Sequence, residues 1–253
     1  MSTKEKNIEF KELTYEKFRE LAQSNNLSRH EKVGFPDNYR EGKESLIFSD
    51  IISKVSPLND KKKIVLEIGP GCSLLPVMLA DFCKAQGHEL HFVDSPEMLA
   101  LLPDGSHIHK WPGRYPEEVS PLITQLKGKV DAVIAYSVIQ YVFVEGNLWT
   151  FIDSTLSLLT LGGEILLGDI PNITMRKRFF SSPTGIKYHR EFTGRDDLPE
   201  VRFNQLELGH IDDSVVLAIL SRARAQGFHA WILPQAEGLP MANRREDILI
   251  RKP

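Results

Sequence analysis

From Ile64 onward the chain alternates short apolar runs with amphipathic ones, and this alternation limits it to very few architectures. Ile64 to Ile68 is nearly all apolar, as expected of a strand buried on both faces. A helix is predicted over Ser73 to Gln86, with Ser73 at its N-cap and Gly87 as its C′ stop. Glu89 to Val93 reads as the next strand. Ser95-Pro96-Glu97 then opens a helix with cap, first-turn proline and acid in the favoured order. Val130 to Ala135 and Glu164 to Ile170 are further strands, with a helix over Asn147 to Leu159 between them. The pattern specifies an α/β fold, a parallel sheet with helices on both faces.

Beyond Ile170 the rhythm breaks. Pro171 to about Gly209 is polar and weakly periodic, too long for an ordinary connection, and is expected to form a lid or substrate-binding insertion (171–209). A helix resumes over Ser214 to Arg224. His229 to Leu233 and Asp247 to Ile250 then form two strands joined by a Pro/Gly-rich loop, with no helix between, so they should pair antiparallel. Upstream, Leu13 to Ala22 and Ser45 to Val55 have helical periodicity, and the polar stretch Ser24 to Gly42 reads as a loop. The chain divides into a helical N-terminal cap (1–60) and a main domain (61–253).

Composition excludes several classes. With 42% hydrophobic residues the chain can bury a substantial core, and its net charge of −3 neither demands nor excludes a nucleic-acid partner. Its two cysteines, Cys72 and Cys83, sit in one short stretch where a structural disulfide is not expected, which favours a reducing compartment. No apolar run reaches membrane-spanning length, and Met1 to Phe10 is charged rather than signal-like. A cytoplasmic protein with no membrane partner is expected.

The chemistry concentrates in Glu67-Ile68-Gly69-Pro70-Gly71-Cys72-Ser73, a strand end, glycine turn and helix start. A dinucleotide fingerprint needs glycine at position 74, where Leu74 stands, and Glu67 favours a cationic ligand portion over a pyrophosphate. This stretch resembles the first motif of class I S-adenosylmethionine-dependent methyltransferases. Val93-Asp94-Ser95-Pro96-Glu97-Met98 resembles their second, Asp131 to Val142 their fourth, and Leu161-Gly162-Gly163 the approach to their fifth strand. Ala225-Gln226-Gly227-Phe228, followed by two strands, resembles the closing hairpin. The resemblance implies a Rossmann-like, seven-stranded, mostly parallel sheet with one antiparallel strand near the C-terminus. It implies S-adenosyl-L-methionine as cofactor, with S-adenosyl-L-homocysteine as product. Asp94 would hold ribose, the turn from Glu67 through Gly69 and Gly71 to Ser73 the methionine moiety, and Met98 would pack near adenine. Ser95, Gly113, Arg114, Tyr136 and Ser137 complete the expected cofactor set.

For the acceptor, Tyr136, Gln140 and Tyr141 lie at or after the fourth-motif strand. Ala135-Tyr136-Ser137-Val138 is not the Asn/Asp-Pro-Pro-aromatic pattern, which counts against a nucleobase or glutamine acceptor. Tyr141, Asp169 and His189 are the catalytic candidates, His189 by residue type, since an unperturbed imidazole titrates near neutrality, with core packing as the alternative for Tyr141. Asp169 and Asn172 supply only two oxygen ligands, with no acid at Tyr136-Ser137, so no metal is expected. Arg178, Tyr188 and Arg190 suit a lid gripping a phosphate or carboxylate, with a solvated surface loop as the alternative. Tyr39 and Arg40 are candidates for substrate binding that could close over the cofactor, with a solvated loop as the alternative. Gly168 to Asn172 with the basic stretches after it also resembles methyltransferases of bacterial surface-polysaccharide synthesis.

The expected function is O- or N-methylation of a small, phosphorylated, nucleotide-linked or sugar acceptor (EC 2.1.1.-). The alternatives are an RNA or protein methyltransferase and a catalytically silent cofactor-binding scaffold. Glu191, Asp196, Asp197 and Glu200 interrupt the basic residues and count against nucleic acid as a partner; a homodimer stays open.

Overall fold

A computed structural model describes residues 13–34, 42–205 and 207–253. One seven-stranded sheet organises them, in the order β3-β2-β1-β4-β5-β7-β6. Its strands are β1 (Ile64–Ile68), β2 (Glu89–Asp94), β3 (Ile108–Pro112), β4 (Val130–Tyr136), β5 (Leu159–Pro171), β6 (His229–Pro234) and β7 (Arg245–Arg251). β1 through β5 pair in parallel, whereas β7 runs antiparallel to both β5 and β6. The seven strands with a single antiparallel member are the architecture expected, and the terminal hairpin pairs as expected.

Alternation along the central strands feeds two cores. Val65, Ile134 and Leu166 face α3 (Glu44–Lys54) and α4 (Leu74–Gln86). Their neighbours Leu66, Val133 and Leu167 face α6 (Ser120–Leu126), α8 (Leu148–Leu158) and α11 (Asp213–Ala225). Side chains two residues apart share a face, so near-continuous apolar strands are what a doubly covered sheet requires. Helix α4 stops at Gly87, and the Ser95 hydroxyl accepts from Met98 N–H at the start of α5 (Pro96–Leu99). Ser73 occupies the N-cap position of α4, but its hydroxyl makes no capping bond.

Helix α1 (Tyr15–Gln23) lies over the carboxyl end of the sheet, its Phe18 packed with Val33 against Met98 and Cys72. The stretch from Ser24, expected to be loop, contains a short helix α2 (Arg29–Lys32), closed by a reciprocal capping box between Ser28 and Glu31. The expected insertion is likewise ordered. It carries α9 (Ile173–Phe180), capped by Asn172, and α10 (Pro183–Thr193), capped by Ser182 with Pro183 in its first turn. Between β4 and α8 lies α7 (Ile139–Glu145). No described helix is long and apolar enough to cross a membrane.

Candidate functional site

The order of strands reverses between β1 and β4, and in open α/β sheets ligands seat in the crevice outside the carboxyl ends at such a point. A cavity opens there. Its floor is Ile68 to Gly71, Val93-Asp94 and Tyr136 to Val138, its far wall Tyr141, Val142 and Glu145 from α7, and its roof Tyr15, Phe18 and Val33. Gly69 and Gly71 have φ of +65° and +63°. A Cβ on Gly69 would come within 2.7 Å of Val138 Cγ2, so backbone alone fits this bend.

Asp94 ends β2 with its carboxylate fixed by the chain around it. Gly71 N–H donates to Oδ2 at 2.9 Å and Ser95 N–H to Oδ1 at 2.7 Å. Burial pushes its pKa up to about 6, against the pull of those two amides. A carboxylate offers about four lone-pair positions, so two of Asp94's remain for a ligand. Glu67 lies behind the turn rather than on the cavity surface. It is fully buried, its Oε2 has no partner among the described residues, and burial followed by the nearby Asp94 charge raises it to about 8.

The roof is clasped. Tyr15 N–H donates to both carboxylate oxygens of Glu145 at 3.1 Å. Arg19 grips Glu97 through two bonds of 2.9 and 2.8 Å, and Phe18 meets Tyr141 edge-on at 4.9 Å. Arg114 lies over the Tyr15 ring and pairs with Glu145 at 3.2 Å. None of Tyr15, Phe18, Val33 or Glu145 was marked by the sequence, because they come from three separate helices or helix ends whose sequence shows only local periodicity.

Of the expected cofactor residues, the structure brings Gly69, Gly71, Ser73, Asp94, Met98, Gly113, Arg114, Tyr136 and Ser137 to this cavity. Ser95 caps α5 and is not among the residues lining this cavity. Ser137 has φ of +61°, and its hydroxyl bonds the Asp169 carboxylate. Asp169, itself at φ +60° and buried, pairs with Arg245 at 2.6 Å and takes Asp247 Oδ1 on its amide. It thus stands behind Ser137.

A second cavity adjoins the first through α7, since Tyr141 and Glu145 line both. It holds Gln140, Asn172, Arg176, Glu207, His210, Arg244 and Arg245. The expected lid residues line neither cavity. His189 pairs with Asp197 at 3.1 Å, Arg178 with Asp213, Arg190 with Asp196, and Tyr188 stacks on Phe192. Tyr39 and Arg40 lie outside the described residues.

One group among the described residues has ligand types within metal-binding spacing, Glu89, His91 and His109, well away from these cavities on β2 and β3. Trp111 Nε1–H donates to His91 Nδ1 at 3.0 Å, which leaves the ring proton on Nε2, pointing at Glu89. A metal would need the lone pair that this tautomer does not offer. Burial and the His109 charge lower His91 to about 4, consistent with a neutral ring.

No protein-family model and no curated protein matches the sequence. Solved structures do match. The plantazolicin methyltransferase BpumL, in complex with SAH, aligns over 93% of this chain and 95% of its own at 13% identity and TM-score 0.57. The N-methyltransferase NodS from Bradyrhizobium japonicum WM9, in complex with S-adenosyl-L-homocysteine, aligns over 96% and 100% at 16% identity and TM-score 0.56. The chain spans 56% of the length of the CurJ carbon methyltransferase, with 85% of this chain covered, 17% identity and a TM-score of 0.49. At such identities the likeness is one of fold: the sheet is the Rossmann-like sheet of methyltransferases.

Proposed function

We propose that the protein transfers a methyl group from S-adenosyl-L-methionine to an oxygen or nitrogen of a small acceptor. The observation that carries this reading is Asp94: a buried carboxylate at the end of β2, oriented by two backbone amides, with acceptor capacity left over at the floor of the first cavity. That suits two ribose hydroxyls. The glycine turn cradles the amino-acid end of the ligand, and Glu67, buried and protonated beneath it in the ligand-free chain, would ionise opposite a ligand ammonium. Two structural neighbours of the same fold hold S-adenosylhomocysteine, which supports the assignment.

When bound, the donor supplies a methyl group already activated by its sulfonium. The protein's task is then alignment and exclusion of water. Tyr141, on the wall common to both cavities, stands against the acceptor. Asp169 acts one step removed, holding Ser137 through its hydroxyl. In this reading Tyr15, Phe18 and Val33 of the N-terminal cap (1–60) roof the donor, and Ile173 and Arg176 of the 171–209 insertion line the acceptor cavity of the main domain (61–253). A phosphorylated, nucleotide-linked or sugar acceptor is the class we favour.

Calorimetric titration with S-adenosylhomocysteine tests the reading. Stoichiometric binding is expected, and absence of binding by the folded chain would sink it.

A further inference from the structure

The acceptor cavity has an uneven charge pattern. Arg245 is committed to Asp169 at 2.6 Å. The two carboxylates on its wall are matched from outside it, Glu145 by Arg114 at 3.2 Å and Glu207 by Lys177 at 2.8 Å. Arg176, from α9, and Arg244, just before β7, differ from all of these. Neither forms an ion pair among the described residues. Both guanidinium groups lie by one ring, Phe180, at 5.1 and 5.8 Å from its centroid. Among the described residues the Arg244 guanidinium otherwise bonds only the neutral Asn243 amide oxygen, at 2.9 Å. A guanidinium resting on an aromatic face keeps its N–H edges for planar or tetrahedral anions.

A second, independent observation points to a ligand. Gln140 lines the same cavity from α7. Its amide N–H donates to Ser137 O at 2.8 Å, and its Oε1 is buried with no partner among the described residues. Buried amide oxygens are nearly always bonded, and an orphan beside a cavity calls for a donor.

We propose that this cavity holds the methyl acceptor by an oxyanion, a phosphate or a carboxylate, gripped by Arg176 and Arg244, while Gln140 Oε1 takes a hydrogen bond from an N–H or O–H of the same molecule. The word acceptor rests on the methyl-transfer reading; the oxyanion site rests on the cavity alone. The lid arginines Arg178 and Arg190 pair with Asp213 and Asp196 on the surface and do not line this cavity.

The test is titration of the full chain, saturated with S-adenosylhomocysteine, with inorganic pyrophosphate and separately with malonate. Binding of one of them is expected, weakened about tenfold or more in an Arg176→Gln, Arg244→Gln double variant. Affinity for S-adenosylhomocysteine should be unchanged, which reports that the variant is folded; if it is not, the two single variants are read in its place, each weakening the anion. Arg195→Gln, an exposed arginine paired with Asp197, should leave anion binding as it was. Pyrophosphate alone assigns a phosphate, and malonate alone a carboxylate. Failure of both to bind, or binding that survives the substitutions, overturns the proposal. Should wild-type chain refuse S-adenosylhomocysteine, the methyl-transfer reading falls, and the same titrations on ligand-free chain still decide the oxyanion site.

Discussion

Glu67 makes the stability of the ligand-free protein depend on pH in a direction opposite to that of a salt-bridged acid. Burial raises its pKa to about 8 in the folded chain, whereas an unfolded chain titrates glutamate near ~4.3. Between those limits the folded state keeps a proton that the unfolded state has lost. Stability therefore falls as pH rises through the window, by up to about 1.4 kcal/mol per pH unit for one proton. From about pH 5.5 to about pH 7.5 the loss amounts to roughly 2–3 kcal/mol. Glu67→Gln keeps the shape and removes the titration. Other groups titrate in both chains, so the difference between the two isolates Glu67. Urea unfolding of wild type and variant, followed by circular dichroism at several pH values in that window, measures it. Wild type should lose ground steadily against the variant as pH rises. A difference that stays constant with pH would refute the assignment of a protonated, buried Glu67.

Four further outcomes are expected. Asp94→Ala should weaken S-adenosylhomocysteine by at least one charged hydrogen bond, about 1.5–3 kcal/mol by calorimetry; unchanged affinity in a folded variant rejects the ribose assignment. Because Asp94 binds as the carboxylate and titrates at about 6, affinity should fall as pH drops below that value, and a flat profile in acid counts against it. Gly69→Ala, placing a Cβ 2.7 Å from Val138 Cγ2 at a φ of +65°, should lower stability by roughly 1–3 kcal/mol in thermal or urea unfolding. Arg19→Ala opens the clasp on Glu97 and should speed S-adenosylhomocysteine dissociation in stopped flow; an unchanged rate means that the roof does not limit exchange.

How much of this was legible depended on whether the signal was local. Buried parallel strands announce themselves, so β1, β2 and β4 emerge nearly to the residue. β3 does not, since an edge strand such as Ile108–Pro112 is half exposed and carries His109 and Lys110 where a central strand carries valine or leucine. The insertion held readable signs that its polarity masked. Ser182-Pro183 has the cap and first-turn proline that mark α5 at Ser95-Pro96, and Gly194, at φ +67°, ends α10 as Gly87 ends α4. The first cavity was legible because its floor comes from strand ends whose turn chemistry is local. The second cavity was not. Arg176, Gln140, Glu207 and Arg244 come from four separate stretches, and only the folded chain brings them round one cavity. An arginine's charge is visible in a sequence, but whether a carboxylate already neutralises it is a tertiary fact. Arg178 and Arg190 look like anion binders until Asp213 and Asp196 are found beside them, while Arg176 and Arg244 stand out because neither forms an ion pair among the described residues.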